Sequence, residues 1–209
     1  MLDGRDGATV VRLARHAVEA LFDPGRGEPE AASLPAVFHE RRGAFVTWKH
    51  YPEGRLRGCI GYALPVLPLR EAVRRAAVAA AIDDPRFPPV LPEELDRLAA
   101  EVSVLGVPSL LGPTGRELEV LPGRDGVIVE TDQTSGLLLP QVAVEQDWTA
   151  VELLDGTCEK AGLPRGAWRR PSVRVRTFRA EVWGETSPRG AVSCRSGGAE
   201  APSSGSAPT

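Results

Sequence analysis

The sequence predicts a fold that mixes α-helices with β-strands, on three observations. Thr9–Phe22 carries apolar residues at the spacing of one helix face and ends before the Asp23-Pro24-Gly25 turn, so we predict an amphipathic helix. Gly43–Lys49 and Leu56–Tyr62 have the pattern of two strands, and the turn at Tyr51–Gly54 joins them in a hairpin. The chain has 209 residues, of which 42% are hydrophobic and 25% are charged. This is enough to bury one core, or one core and a small lobe.

The hairpin is followed by a helix, a stiff loop, a helical turn and another strand. Pro68 suits the first turn of the helix, where its missing N–H has no partner, and strong helix formers continue from there. The prolines of the loop exclude regular structure and hold Arg86 and Phe87 at fixed positions, as the wall of a site would. The strand alternates, with Glu101 and Ser103 on one face. The predicted bounds are Leu69–Ile82, Asp84–Pro89, Pro92–Asp96 and Ala100–Leu105.

The second half of the chain predicts a smaller unit of short strands and helices, after a connection at residues 106–123 that is rich in Pro and Gly. Thr149 and Glu152 form a capping box at the start of its longer helix, which Gly162 closes. From about Thr186 onward the composition lacks apolar periodicity, so we predict a disordered tail at residues 186–209 that includes Cys194. The predicted strands are Gly126–Glu130, Leu137–Leu139 and Val173–Trp183, and the predicted helices are Pro140–Glu145 and Thr149–Ala161.

The most informative motif is Leu56-Arg57-Gly58-Cys59-Ile60-Gly61 on the second arm of the hairpin. Strand alternation places Arg57, Cys59 and Gly61 on one face. A positive charge beside a thiol favours the reactive thiolate form, and the missing Cβ atoms of Gly58 and Gly61 allow a ligand to come close. The alternative is structural, because cysteine is often buried and strand glycines often mark bulges or tight packing.

Several classes of protein are excluded by composition. Three cysteines far apart and three scattered histidines predict neither a disulfide framework nor a metal site. A net charge of −3 argues against a general nucleic-acid binder, which carries a basic excess. Since no stretch is apolar for long enough to span a membrane or to act as a signal core, we expect a soluble, cytoplasmic protein. The excess of arginine over lysine is typical of a GC-rich genome and indicates a bacterial source.

Five blocks, in order along the chain, together resemble the AMMECR-type domain family, named after a human chromosomal region linked with Alport syndrome, midface hypoplasia and elliptocytosis. The resemblance covers about Val10 to Glu185. It implies an α+β fold of two unequal lobes with a cleft between them. The larger lobe, about residues 1–110 and 165–185, would be an antiparallel sheet flanked by helices, and the smaller one would span about residues 111–164. The blocks are Leu56–Gly61, Asp84–Pro88, Glu101–Val104, Gly136–Ala143 and Cys158–Pro164 with Trp168.

The resemblance implies less about function, because the family has no settled biochemical activity. It implies that the Leu56–Gly61 motif is functional and that the protein shares a pathway with Memo-like dioxygenase-fold and radical SAM proteins, with which prokaryotic relatives are associated or fused. Many relatives carry a small hydroxylated residue and an aromatic residue after the motif. This chain has Tyr62-Ala63 instead, so only the Tyr62 phenol could supply such a hydroxyl.

Two hypotheses for the site stay open, and both leave the cofactor unknown. In the first, the protein is a small-molecule enzyme or an enzyme partner: Cys59 is the nucleophile, Arg57 or Arg86 stabilises an anion, and Glu101 is the acid or base. In the second, it is a non-catalytic ligand-binding or adaptor module in which Arg57 and Arg86 bind a carboxylate or phosphate. Gly58 and Gly61 would line the ligand site, and the ligand would be a small, anionic molecule.

Overall fold

The computed structural model describes residues 2–23, 25 and 34–195, and its framework is one antiparallel sheet of eight strands. The strands are β1 (Ala44–His50), β2 (Leu56–Tyr62), β3 (Leu98–Leu105), β4 (Ser109–Leu110), β5 (Asp125–Glu130), β6 (Ser135–Leu138), β7 (Arg174–Glu185) and β8 (Val192–Cys194). The helices are α1 (Gly4–Phe22), α2 (Leu69–Ile82), α3 (Arg116–Glu119), α4 (Pro140–Glu145) and α5 (Ala150–Lys160). Three short 3₁₀ segments cover Ala36–His39, Pro92–Arg97 and Ala167–Arg169.

The long strand β7 connects the two halves of the sheet. Its second half pairs with β3, and its first half pairs with β5. The order across the sheet is β2-β1-β3-β7-β5-β6, and β4 and β8 also pair with β7. Because every pairing is antiparallel and helices flank the sheet, the predicted α+β class with an antiparallel sheet is confirmed.

The three long helices pack on one face of this sheet. Register shows this for α2, since a Cβ on Gly58 would meet Ala80 of that helix, and Gly58 pairs with the buried Trp48. Gly7 of α1 packs in the same way against Trp183. For α5, a Cβ on Gly136 would meet Ala161 at the end of that helix, and Gly136 is connected through its pairing with Val129 to Val175 of β7. Since paired residues share a face, the residues that alternate with these on β1, β2, β3 and β7 lie on the opposite, helix-free face.

Two large apolar clusters form the core, one in each half of the sheet. The first lies between the sheet and the helices α1 and α2, and it includes the fully buried Trp48. The second lies beneath α5, runs from Leu111 to Val175 and includes Trp168. A third, small cluster of Leu105, Ile128 and Phe178 joins the halves. The second cluster begins where the smaller lobe was predicted to begin and extends past residue 164, while the cleft between two lobes stays a prediction.

Most predicted elements appear with bounds that differ by a few residues, for local reasons. Helix α1 begins earlier than predicted because the Asp3 carboxylate accepts hydrogen bonds from the N–H groups of Arg5 and Asp6 at 2.8 Å. The capping box of α5 forms as predicted, with Glu152 accepting from the Thr149 N–H at 2.9 Å. Strand β4 and helix α3 lie in the segment that was predicted to be a connection.

The predicted disordered tail at residues 186–209 is corrected for its first ten residues. The chain turns after β7, and β8 then pairs with Trp183–Glu185. Arg189 in this turn binds Glu19 of α1 at 2.6 Å and also contacts Asp96. This segment is ordered by backbone pairing and ion pairs rather than by burial of apolar residues. Because composition reports only the apolar residues, it predicted disorder here. Residues 196–209 lie outside the described part of the chain.

Candidate functional site

A β-bulge in the motif sets the directions of its side chains. Cys59 pairs with Thr47 and Gly58 with Trp48, but Leu56 then pairs with Lys49, so that Arg57 is the extra residue. Cys59 and Gly61 therefore lie on the helix-free face, as predicted. Strict alternation predicted that Arg57 shares this face, but the bulge interrupts the period of two at Arg57, so alternation does not assign its face.

The backbone of Cys59 is held on its outer side by the loop that follows α2. β2 is an edge strand, and the Cys59 N–H donates to Oδ2 of Asp84 at 2.8 Å. Nη2 of Arg86 donates to the Cys59 carbonyl at 3.2 Å, and Nη2 and Nε also bind the Asp84 carboxylate at 2.7 and 2.9 Å. The side chain of Asp84 is only 2% exposed. The hydrogen bonds from Arg86, with those from the two backbone N–H groups, hold the pKa of Asp84 well below its usual range.

Three polar side chains form a row across the helix-free face. Thr47 pairs with Cys59 on one side and with Glu101 on the other, so the thiol, the hydroxyl and the carboxylate lie at the same level of the sheet. The Thr47 hydroxyl donates to the sulfur of Cys59 at 3.2 Å. Two strand spacings separate the Cα atoms of Cys59 and Glu101, or about 10 Å. Thr47 therefore lies between the thiol and the strand position of Glu101.

The Glu101 carboxylate lies beside two cations. Nζ of Lys49 lies 2.9 and 3.0 Å from its two carboxylate oxygens. Nη1 of Arg195 lies 3.5 Å from Oε2 of the same group. Its side chain is 14% exposed. The arrangement fixes the Glu101 carboxylate between two positive charges.

Arg57 is buried and pairs with a different carboxylate from the one that binds Cys59. Its Nε and Nη2 donate to the Glu94 carboxylate at 2.9 and 3.1 Å, and this pair lowers the pKa of Glu94. Its guanidinium carbon is 6.0 Å from the centre of the Phe87 ring. Nη1 is buried without a hydrogen-bond acceptor among the described residues. Of the two arginines, Arg86 is the one that donates a hydrogen bond to Cys59.

The two motif glycines serve close contacts on opposite faces. A Cβ on Gly58 would lie 1.9 Å from the carbonyl oxygen of Ala80, so this glycine lets α2 approach the sheet. A Cβ on Gly61 would lie 2.4 Å from the ring of Phe45, the residue with which it pairs. Only Gly61 of the two is on the face that carries the thiol.

A comparison of the sequence with protein families gives a match over most of the chain. The sequence model described as AMMECR1 matches residues 11–183. The chain belongs to the AMMECR1 family. The predicted resemblance is therefore confirmed.

Members of the AMMECR1 family at high identity include several archaeal proteins. Protein TK0174 of Thermococcus kodakarensis is 49% identical over 191 residues, which cover 89% of this chain and 93% of that protein. Protein PF1979 of Pyrococcus furiosus is 46% identical over 191 residues, which cover 89% and 91%. The crystal structure of the uncharacterized protein PH0010 from Pyrococcus horikoshii has a TM-score of 0.83 at 44% identity and covers 93% of this chain and 98% of that one. These names state no activity, and the bacterial source stays a prediction.

Around the family motif, four contacting residues were not predicted from the sequence. Thr47 and Lys49 were assigned to a strand without a role, Glu94 to a helical turn and Arg195 to the tail. Alternation along β1 could have shown that Thr47 and Lys49 share a face, since residues two apart on a strand do so. No local signal connects Glu94 with Arg57, because the pairing depends on the path of the chain after α2.

Two searches of the described residues bear on ligands and membranes. Residues 2–23, 25 and 34–195 contain no group of three or more His, Cys, Asp or Glu side chains placed to hold a metal ion. None of the helices in that part of the chain combines the length and apolarity needed to cross a bilayer.

Proposed function

We propose that this AMMECR1-family protein is a small-molecule enzyme, or the substrate-binding partner of one, that acts through Cys59 on the helix-free face. The observation that supports this is the clamp on Cys59. Both backbone polar groups of this one residue are bound by the Asp84–Arg86 pair, while its side chain stays partly exposed. Such a clamp fixes the position of a thiol that a ligand can reach, as covalent catalysis requires.

The thiol would act as a nucleophile on an electrophilic carbon of a small molecule. In acyl transfer, the sulfur–carbon bond forms as the bond to the leaving group breaks, and the thiol proton passes to the leaving group. Arg86 is suited to bind an anionic group next to the thiol. Its side chain is 53% exposed, and Nη1 has no acceptor among the described residues. Glu101 would contribute charge at a distance rather than act as the base.

A second candidate, a non-catalytic ligand-binding or adaptor module, is favoured by the partners of Cys59. Within the described residues the sulfur is hydrogen-bonded by Thr47, and no imidazole contacts it to act as a base. The Asp84–Arg86 pair would then protect the free edge of β2 against pairing with another strand. Under this reading sulfur is dispensable, and Cys59→Ala keeps ligand binding.

Alkylation of the native protein with iodoacetamide at pH 7 tests the proposal, with peptide mass spectrometry to follow each cysteine. The chain contains its own references, because Cys194 is exposed and Cys158 is fully buried, which raises the pKa of Cys158. We expect Cys59 to react faster than Cys194 although it is less exposed, and Cys158 to stay unmodified. A Cys59 rate equal to or below that of Cys194 would contradict a nucleophilic role and favour the binding module.

We also propose, from the family resemblance, that the protein works beside Memo-like and radical SAM proteins. Support for this comes from the association of relatives with those proteins rather than from any contact in this chain. Copurification of tagged wild-type protein from its own host, with Gly112→Ala as a matched surface variant, would test it. Recovery of neither class of protein with either form would argue against a physical partnership.

A further inference from the structure

A small pocket lies beside Glu101, near the hairpin turn, where β1 and β7 end and β3 begins. Its lining includes Lys49, His50, Thr186 and Arg195. Its volume is about 150 Å³. Arg195 belongs to the segment that composition assigned to the tail, and its side chain lies over Gly184 of β7.

The pocket has an excess of positive charge. Lys49 and Arg195 both face the single carboxylate of Glu101. Glu185 also lines the pocket, but its carboxylate is bound by the buried Arg15. Two cations against one available carboxylate leave one positive charge without a counter-ion among the described residues.

Hydrogen-bond donors remain available in the same place. Lys49 has three N–H donors, and Glu101 offers it two oxygens. Nη2 of Arg195 donates to the Glu185 carbonyl at 2.6 Å, whereas Nη1 is 3.5 Å from Glu101, which is long for a hydrogen bond. An anion with several oxygens could therefore bind Lys49 and Arg195 without displacing Glu101.

The volume limits what can bind. Drug-sized ligands occupy pockets of roughly 300–1,000 Å³, and a water molecule takes about 30 Å³ of liquid. We propose that this pocket binds a small oxyanion, the terminal phosphate or carboxylate of a ligand, between Lys49 and Arg195. A larger ligand would extend out of the pocket onto the helix-free face.

The position of the pocket indicates the length of the substrate, an inference that rests on the proposed function. The pocket borders Glu101, and the row through Thr47 leads from Glu101 to Cys59 over about 10 Å. A substrate with its oxyanion in the pocket and its reacting carbon at the thiol is therefore an elongated molecule of about that length. Arg86 at the edge of β2 would bind a second polar group near the reacting end.

Isothermal titration calorimetry with inorganic phosphate tests the site, at constant ionic strength maintained with NaCl. We expect binding to the wild type and an affinity about tenfold weaker for Arg195→Gln, since a hydrogen bond to a charged group is lost. Arg174→Gln is the matched control, because Arg174 is 42% exposed and Arg195 43%, and each faces carboxylates. A parallel titration with acetate distinguishes a phosphate site from a carboxylate site, and binding of either anion that depends on Arg195 supports the proposal.

Gly184→Ala provides a second variant that keeps the charge. The added Cβ would lie 2.7 Å from Nε of Arg195, so the flexible guanidinium would be displaced and anion affinity would fall. Absence of anion binding to the wild type would overturn the proposal. An equal loss in Arg174→Gln would also do so. Cys59→Ser should bind phosphate as the wild type does, so a failure of the oxyanion site and a failure of the nucleophile are observed in separate experiments.

Discussion

Replacing Gly58 with alanine tests whether the first glycine of the motif serves helix packing or ligand approach. The added Cβ would lie 1.9 Å from the carbonyl oxygen and 3.1 Å from the carbonyl carbon of Ala80. Ordinary van der Waals contact begins at 3.4 Å, so about 1.5 Å of separation is missing at the oxygen. The obstructing atoms belong to the backbone of α2 and cannot rotate away, so the helix or the edge strand has to move.

The expected cost of Gly58→Ala is about 3 kcal/mol in the free energy of unfolding, at the upper end of the usual range for overpacking. For a chain of this size the melting temperature should fall by about 6–12 °C. Buried alanines make the face of α2 flat enough for this approach, so no larger side chain can shift to relieve the overlap. They are Ala72, Ala76, Ala77, Ala80 and Ala81.

Urea unfolding followed by far-UV circular dichroism measures this cost, with Gly112→Ala as the control. A Cβ on Gly112 meets no atom within 4 Å, so this variant should stay within about 0.5 kcal/mol of the wild type. Equal unfolding free energies for the two variants would refute the packing role of Gly58. Loss of a ligand without loss of stability in Gly58→Ala would support the prediction that this glycine lines a ligand site.

Two further predictions concern the clamp and the last strand. Asp84→Asn should cost about 2 kcal/mol at pH 7, because Asp84 is buried and loses its charged hydrogen bonds. Its folded pKa lies below its usual value of 3.8, so the contribution is full above that pH and declines as the pH falls below it. Urea unfolding of wild type and variant at pH 7 and pH 3 should thus give a smaller difference at pH 3, and an equal difference at both would contradict the charge-based account. A chain that ends at Glu185 should melt at a lower temperature than one that ends at Arg195, because only the longer form keeps β8 and the Arg189 ion pairs. Identical melting curves of the two forms would show that β8 contributes no stability.

Elements marked by local signals could be predicted from the sequence, and contacts that depend on register could not. The bounds of β2 and α2 agree with the prediction, because a turn and a proline mark where they begin. The face of Arg57 could not be predicted, since the bulge appears only when β2 is aligned with β1. Glu101 was predicted as an acid or base, and its ion pair with Lys49 could not be predicted because it depends on the pairing of β3 with β1.

Residues 186–195 are a second case in which sequence composition did not predict the contacts. Composition predicts disorder where few apolar residues can be buried, and this holds as a rule. β8 needs little apolar burial because the edge of β7 supplies the hydrogen-bond partners. Arg195, which follows it, is thereby brought beside Glu101. A site residue can therefore lie in a segment whose composition predicts disorder.

Contacts in the structure explain most residues of the motif, and Cys59 is the exception. Gly58 and Gly61 are required by atoms that would overlap a Cβ, Arg57 pairs with the Glu94 carboxylate, and Ile60 packs against the core. Packing does not account for Cys59 in this way, because its side chain is only partly buried on a face without helices. A serine hydroxyl could accept the hydrogen bond from Thr47 as well as sulfur does. A structural role would therefore tolerate Cys59→Ser, and a requirement for the thiol at this position would be chemical.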